Sequence, residues 1–112
     1  MRKEILKNIV YDHLKINDVL KHMYSLKKQR QFIICLDKNK KVTGVFTEGD
    51  FRKAIYKGKN LNNPINHIMN KSFNFVSESS SNKKVFKMLS NPFTNFIPVI
   101  KKKYLIDVIF KD

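Results

Sequence analysis

Thr47 and Asp50, three residues apart, are the side chains in this sequence best spaced to hold a ligand. They follow the apolar stretch Val42-Thr43-Gly44-Val45-Phe46 and open the segment Glu48-Gly49-Asp50-Phe51-Arg52. A switch from strand to helix there leaves backbone N–H groups near Glu48 and Gly49 without partners inside the helix. Phosphate is favoured at such a point, and a carboxylate beside it accepts sugar hydroxyls. The same two residues fit a capping box, with the Thr47 hydroxyl taking the N–H of residue 50 and a carboxylate returning to the Thr47 N–H. Spacing alone leaves both readings open.

Little else in the chain suggests chemistry. His13, His22 and His67 are scattered and lack metal-ligand spacing, so no metal site is expected. There is no paired-carboxylate, Ser/His/Asp or Cys/His arrangement, and catalysis by this chain is not expected. The single cysteine, Cys35, lies in the apolar run Phe32 to Leu36 and reads as a reduced core residue, which suits a cytoplasmic setting.

The elements that must position Thr47 and Asp50 are legible around them. Gln31 to Leu36 and Val42 to Thr47 form a hairpin about the turn Asp37-Lys38-Asn39-Lys40. A helix from about residue 48 to 57 carries Phe51, Ala54 and Ile55 on one side and ends at Gly58. Upstream, residues 1–10 hold a helix-like pattern that can end as a strand. Asn17-Asp18 is the expected N-cap of a helix with Val19, Leu20, Met23 and Tyr24 on one face. Downstream, Asn63 is expected to cap a short helical turn with Pro64 at its first position. Phe73, Phe75 and Val76 read as a strand, 83–90 as a helix, and 96–100 and 104–110 as two strands about a lysine turn.

The 112 residues allow one compact domain. No apolar run has the length of a membrane span, and the residues after Met1 lack a signal-peptide core. Net charge is +14, which favours anionic partners in general. Yet 20 of the 23 basic residues are Lys, spread over every segment, whereas base-edge and phosphate-fork recognition favours Arg. Nucleic-acid binding is therefore not the preferred reading, and a solvated surface accounts for the charge.

The two halves repeat one order of elements. Val19–Met23 aligns with Val85–Leu89 at an offset of 66 residues, Ile34–Leu36 with Pro98–Ile100 at 64, and Thr43–Phe46 with Ile106–Ile109 at 63. A duplication with drift confined to turns predicts two α+β units packed face to face about a pseudo-twofold axis.

With Ile33-Ile34-Cys35-Leu36-Asp37, then Val42-x-Gly44-Val45-Phe46-Thr47-x-x-Asp50, then Pro64-Ile65 and Pro98-Val99, the whole chain resembles a tandem pair of CBS domains, the Bateman module. The resemblance implies an α+β fold, an α/β sandwich of two pseudo-twofold-related repeats, each a small sheet with flanking helices. The repeats are expected at 1–60 and 61–112, the second truncated: Asp107 stands at the position of Gly44, Phe110 at that of Thr47, and nothing at that of Asp50. The Gly58 to Lys71 stretch looks most like pairs fused in front of bacterial sugar-phosphate nucleotidyltransferases. The implied function is regulatory binding of an adenosine nucleotide of the AMP/ADP/ATP class. Asp50 would take the ribose and Thr47 the phosphate, Phe46 and Val45 would line the pocket, and Val10 and Tyr11 would meet the base. Arg52 would add charge near the phosphates. A homodimer and an attached catalytic domain are the implied partners. A ligand-free dimerisation module is the alternative.

Overall fold

Alternation of apolar residues between Phe32 and Phe46 produces the first sheet, because successive side chains on a strand face opposite sides. In the computed structural model, which describes residues 2–111, β1 (Ile9–Tyr11) runs parallel to β2 (Ile33–Leu36), and β3 (Val42–Phe46) runs antiparallel to β2. The Asp37 carboxylate closes the hairpin by accepting the amides of Asn39 and Lys41. A short helix, α1 (Lys3–Leu6), precedes the sheet. Helices α2 (Ile16–Ser25) and α3 (Glu48–Tyr56) follow β1 and β3. Ile33, Cys35 and Phe46 join Ile16, Val19 and Met23 of α2 in one core. Phe32, Ile34 and Val45 point the other way, into a second core.

The second half repeats this plan. Helix α4 (Asn82–Leu89) leads to the antiparallel pair β4 (Phe96–Lys101) and β5 (Tyr104–Phe110). Val10 pairs with Cys35 in parallel, and Val76 bridges Val99 in parallel. Cys35 then faces Gly44, as Val99 faces Asp107, and each hairpin has an irregularity directly after that residue. A shared register with a shared bulge is the structural imprint of the duplication read from the sequence, and the fold is the expected α+β one.

The two sheets meet through the second core. Ile100, Leu105 and Val108 of the second half pack there with Ile5, Phe32, Ile34 and Val45 of the first. Phe32 and Phe96, equivalent positions of the two halves, stack with ring centroids 3.9 Å apart and planes 6° apart. Contact between equivalent residues is what a twofold relation requires at its centre.

Three local expectations are corrected. Helix α2 begins at Ile16, ahead of Asn17-Asp18, and no side chain caps it. The amides of Ile16 and Asn17 donate to the carbonyls of Asn63 and Leu61 instead, so the segment joining the halves supplies the cap. Pro64 precedes, rather than begins, a single 3-10 turn at Ile65–His67. The strand expected at 73–76 contracts to Val76, whose N–H and C=O pair with Pro98 and Ile100. Among the described residues, no helix is long and apolar enough to cross a membrane.

Cys35 is buried, and its thiol is pushed up to about 12 from 9.0 by desolvation first, then by the carboxylates of Asp12 and Asp50. The folded chain favours the neutral thiol. That contribution is complete below pH 9.0 and is lost as pH rises towards 12. Thiol reagents should therefore leave Cys35 unmodified at pH 8 in the native chain and label it on denaturation, as mass spectrometry would show.

The halves differ in core size. Helix α2 buries Ile16, Val19, Leu20 and Met23, whereas α4 has no fully buried residue and rests on the small cluster Val76, Ile97 and Val99. Low burial lowers the free energy of local opening. Amides of α4 should exchange with deuterium faster than those of α2, a difference readable by NMR at neutral pH.

Candidate functional site

The end of β3 is shaped by what crosses it. A Cβ at Gly44 would lie 2.7 Å from both Cγ and Sδ of Met69 and 3.0 Å from the Asn70 carbonyl oxygen. The missing side chain lets the connecting segment lie against the strand, where Val45 and Asn70 exchange two backbone hydrogen bonds of 3.0 and 2.8 Å. Buried Ile65 and Met69 anchor the approach in the first core. The crossing brings Asn70, Phe73 and Asn74 beside the start of α3.

At that start, Thr47 is extended, with φ −134°, and Asp50 reaches back to it. Asp50 Oδ2 accepts from the Thr47 amide at 2.9 Å and from the Thr47 hydroxyl at 3.1 Å. The two residues thus form the capping box that their spacing allows. The other oxygen, Oδ1, has no hydrogen-bond partner among the described residues. A capping role therefore leaves half of the carboxylate open to a ligand.

A cavity of about 220 Å³ opens here between the halves. The first half contributes Val45, Thr47 and Asp50. The second contributes Asn70, Phe73 and Asn74, and then Phe93, Thr94 and Asn95 from the stretch between α4 and β4. Three of the sequence-derived residues therefore meet in one cavity.

The other four lie elsewhere. Phe46 is wholly buried in the first core, because the strand alternation that sends Val45 to the cleft side sends Phe46 away from it. Val10 packs in that same core, and Tyr11 is exposed and stacks on His13. Arg52 points into solvent and pairs with Glu48 at 3.4 Å. Neither Val10 nor Tyr11 is among the residues that line this cavity. About a twofold axis, the lead-in of one half faces the motif of the other, so the stretch before Val76, not the stretch before Tyr11, closes the cavity. The 66-residue repeat held that information, and applying the axis would have found Phe73 and Asn74.

A second, larger cavity of about 610 Å³ lies at the duplicate position. Glu4, Lys7, Asn8 and Lys27 line it, each 66 residues before Asn70, Phe73, Asn74 and Phe93 of the first. On its motif side, Phe110 replaces Thr47, and the Arg30 guanidinium sits 3.8 Å from the centre of its ring. Asp107, in place of Gly44, pairs with Arg2 at 2.9 Å. Only the smaller cavity carries Thr and Asp together. Among the described residues, no group of three His, Cys, Asp or Glu could hold a metal ion.

Comparison with known proteins matches the family described as CBS domain to residues 1–57. The chain belongs to this family. Solved structures with the same fold include a CBS domain protein from Streptococcus pneumoniae TIGR4, with TM-score 0.79 and 13% identity over 92% of this chain and 69% of that one. OpuCA from Staphylococcus aureus matches with TM-score 0.69 and 17% identity over 91% and 83%. A CBS-domain containing protein from Agrobacterium tumefaciens matches with TM-score 0.69 and 19% identity over 91% and 76%. At these identities the likeness is one of fold. No curated protein matches the chain in sequence.

The crossing at Gly44 makes a direct prediction. Gly44→Ala forces Met69 or the Asn70 backbone to move, a clash of the kind that costs about 1–3 kcal/mol. The melting temperature should fall by several degrees, as calorimetry would record. Gly49→Ala serves as the control, since a Cβ there comes no nearer than 3.7 Å to the Thr47 hydroxyl oxygen.

Proposed function

We propose that the chain is a regulatory CBS-pair module, with repeats at 1–60 and 61–112, that binds an adenosine nucleotide of the AMP/ADP/ATP class in the cleft at Thr47 and Asp50. The observation that carries this reading is Asp50 itself, which lines a cavity that both halves build and whose cap bonds engage Oδ2 alone among the described residues. A carboxylate whose one oxygen holds a helix cap presents the other as a fixed acceptor for ribose hydroxyls. Phe73 and Phe93 add apolar surface for a base.

A ligand that touches both halves binds some arrangements of them better than others, and that difference is what regulation needs. In this reading the module acts in a cytoplasmic homodimer and controls an attached or associated catalytic domain, a sugar-phosphate nucleotidyltransferase being the type its Gly58–Lys71 stretch resembles. The complete capping box favours a second reading, a structural dimerisation module without a ligand.

Asp50→Asn separates the two. Its amide oxygen can keep the bond to the Thr47 amide, while an NH₂ group replaces the free acceptor. Calorimetric titration with AMP, ADP and ATP should show binding to the wild type and a loss of about tenfold or more in the variant, with little change in melting temperature. No heat with any nucleotide, together with a loss of about 0.5–2 kcal/mol of stability in Asp50→Ala, would support the structural module instead.

A further inference from the structure

The chain carries a net charge of +14, yet no Lys or Arg is among the described residues lining the cleft that holds Thr47 and Asp50. Asp50 is the sole ionisable side chain among them. The duplicate cleft shows that this is not a limit of the fold, since Lys7 and Lys27 stand at the positions of Phe73 and Phe93.

Hydrogen-bond polarity points the same way. The Thr47 hydroxyl spends its proton on Asp50 Oδ2, so neither motif side chain has a proton left to donate to an anion. Acceptors suit the hydroxyls of a sugar and the exocyclic amine of a base. Phosphate oxygens are acceptors too and call for donors, best charged ones. Asn70, Asn74, Thr94 and Asn95 offer only neutral donors, and Asn70 Oδ1 is already bonded to the Ser72 amide. The first turn of α3 carries Glu48 and Asp50, whose charges offset the pull of its N-terminus on an anion. The cavity of about 220 Å³ also falls below the roughly 300–1,000 Å³ of small-molecule sites, so it encloses only part of a nucleotide.

We infer that this cleft reads the nucleoside and not the phosphate chain: affinity does not rise from adenosine to AMP to ATP. The inference rests on the nucleotide-sensor reading and narrows its ligand class to the uncharged moiety. The phosphates then remain in solvent, where the protein's diffuse positive field is screened by salt.

Titration of the full chain with adenosine, AMP and ATP tests it at physiological ionic strength, where charges beyond about 8 Å are largely screened. Adenosine and AMP should bind alike, and ATP no more tightly. Binding of ATP about tenfold or more tighter than adenosine would overturn the inference and leave the sensor reading intact. Absence of binding by all three would remove both. A second variant reverses the charge argument. Phe93 lines the cleft but is 91% exposed, so Phe93→Lys adds a cation without disturbing a core. The ratio of ATP to adenosine affinity should rise in Phe93→Lys and fall back in high salt. An unchanged ratio would overturn the claim that the missing cation sets the preference.

Discussion

The stack of Phe32 on Phe96 lies in the layer on which the rest of the structure depends. Each small sheet covers one face with its own helix and leaves the other bare. An apolar sheet face left in water forgoes the free energy of its burial. Packing the bare faces on each other buries Ile34, Val45, Ile100, Leu105 and Val108 together in one layer. Because the halves are copies, the contact is self-complementary, and equivalent rings meet at its centre. Strand alternation does the rest: the residues not needed in the shared layer feed the outer cores, so each strand is apolar on both faces.

The same packing decides what the clefts contain. A face-to-face pair brings the motif at the end of one hairpin against the segment that enters the other half. Gly44 keeps the crossing close enough for Val45 and Asn70 to pair, and the pairing holds Asn70, Phe73 and Asn74 beside Asp50. In the duplicate cleft, Asp107 replaces the glycine and binds Arg2, while Phe110 replaces the threonine and carries Arg30 over its ring. One repeated arrangement gives two different environments, one with Asp50 as its sole ionisable lining residue among those described and one lined by Lys7, Lys27 and Arg30 with Glu4. The unequal cores follow the same division, with α4 resting on a small cluster and α2 on a large one.

Capping and ligand binding do not compete at Thr47 and Asp50. A carboxylate has two oxygens, and the cap engages Oδ2 alone. Holding the helix start then orients the free oxygen, so the local structural role prepares the functional one. Cys35, close enough for its thiol to be affected by Asp50, stays neutral and takes no part.

Local rules were enough for much of this. The hairpin from Ile33 to Phe46, the limits of α3 and the final strand pair all follow from alternation, periodicity and turn residues close in sequence. The duplication was also legible, because the offsets between the halves drift only in turns. Contacts across the chain were not. The cap on α2 comes from backbone carbonyls at Leu61 and Asn63, and no side-chain pattern encodes it. Asn70, Phe73 and Asn74 were not legible as neighbours of Asp50, because sequence shows which residues share a strand but not which half lies across from them. The sequence by itself determined Thr47 and Asp50 as a pair, through a spacing that one helical turn converts into contact. Only the tertiary structure decided which residues face that pair, because the axis relating the halves is a property of their packing and sets Asn70, Phe73 and Asn74 opposite Asp50.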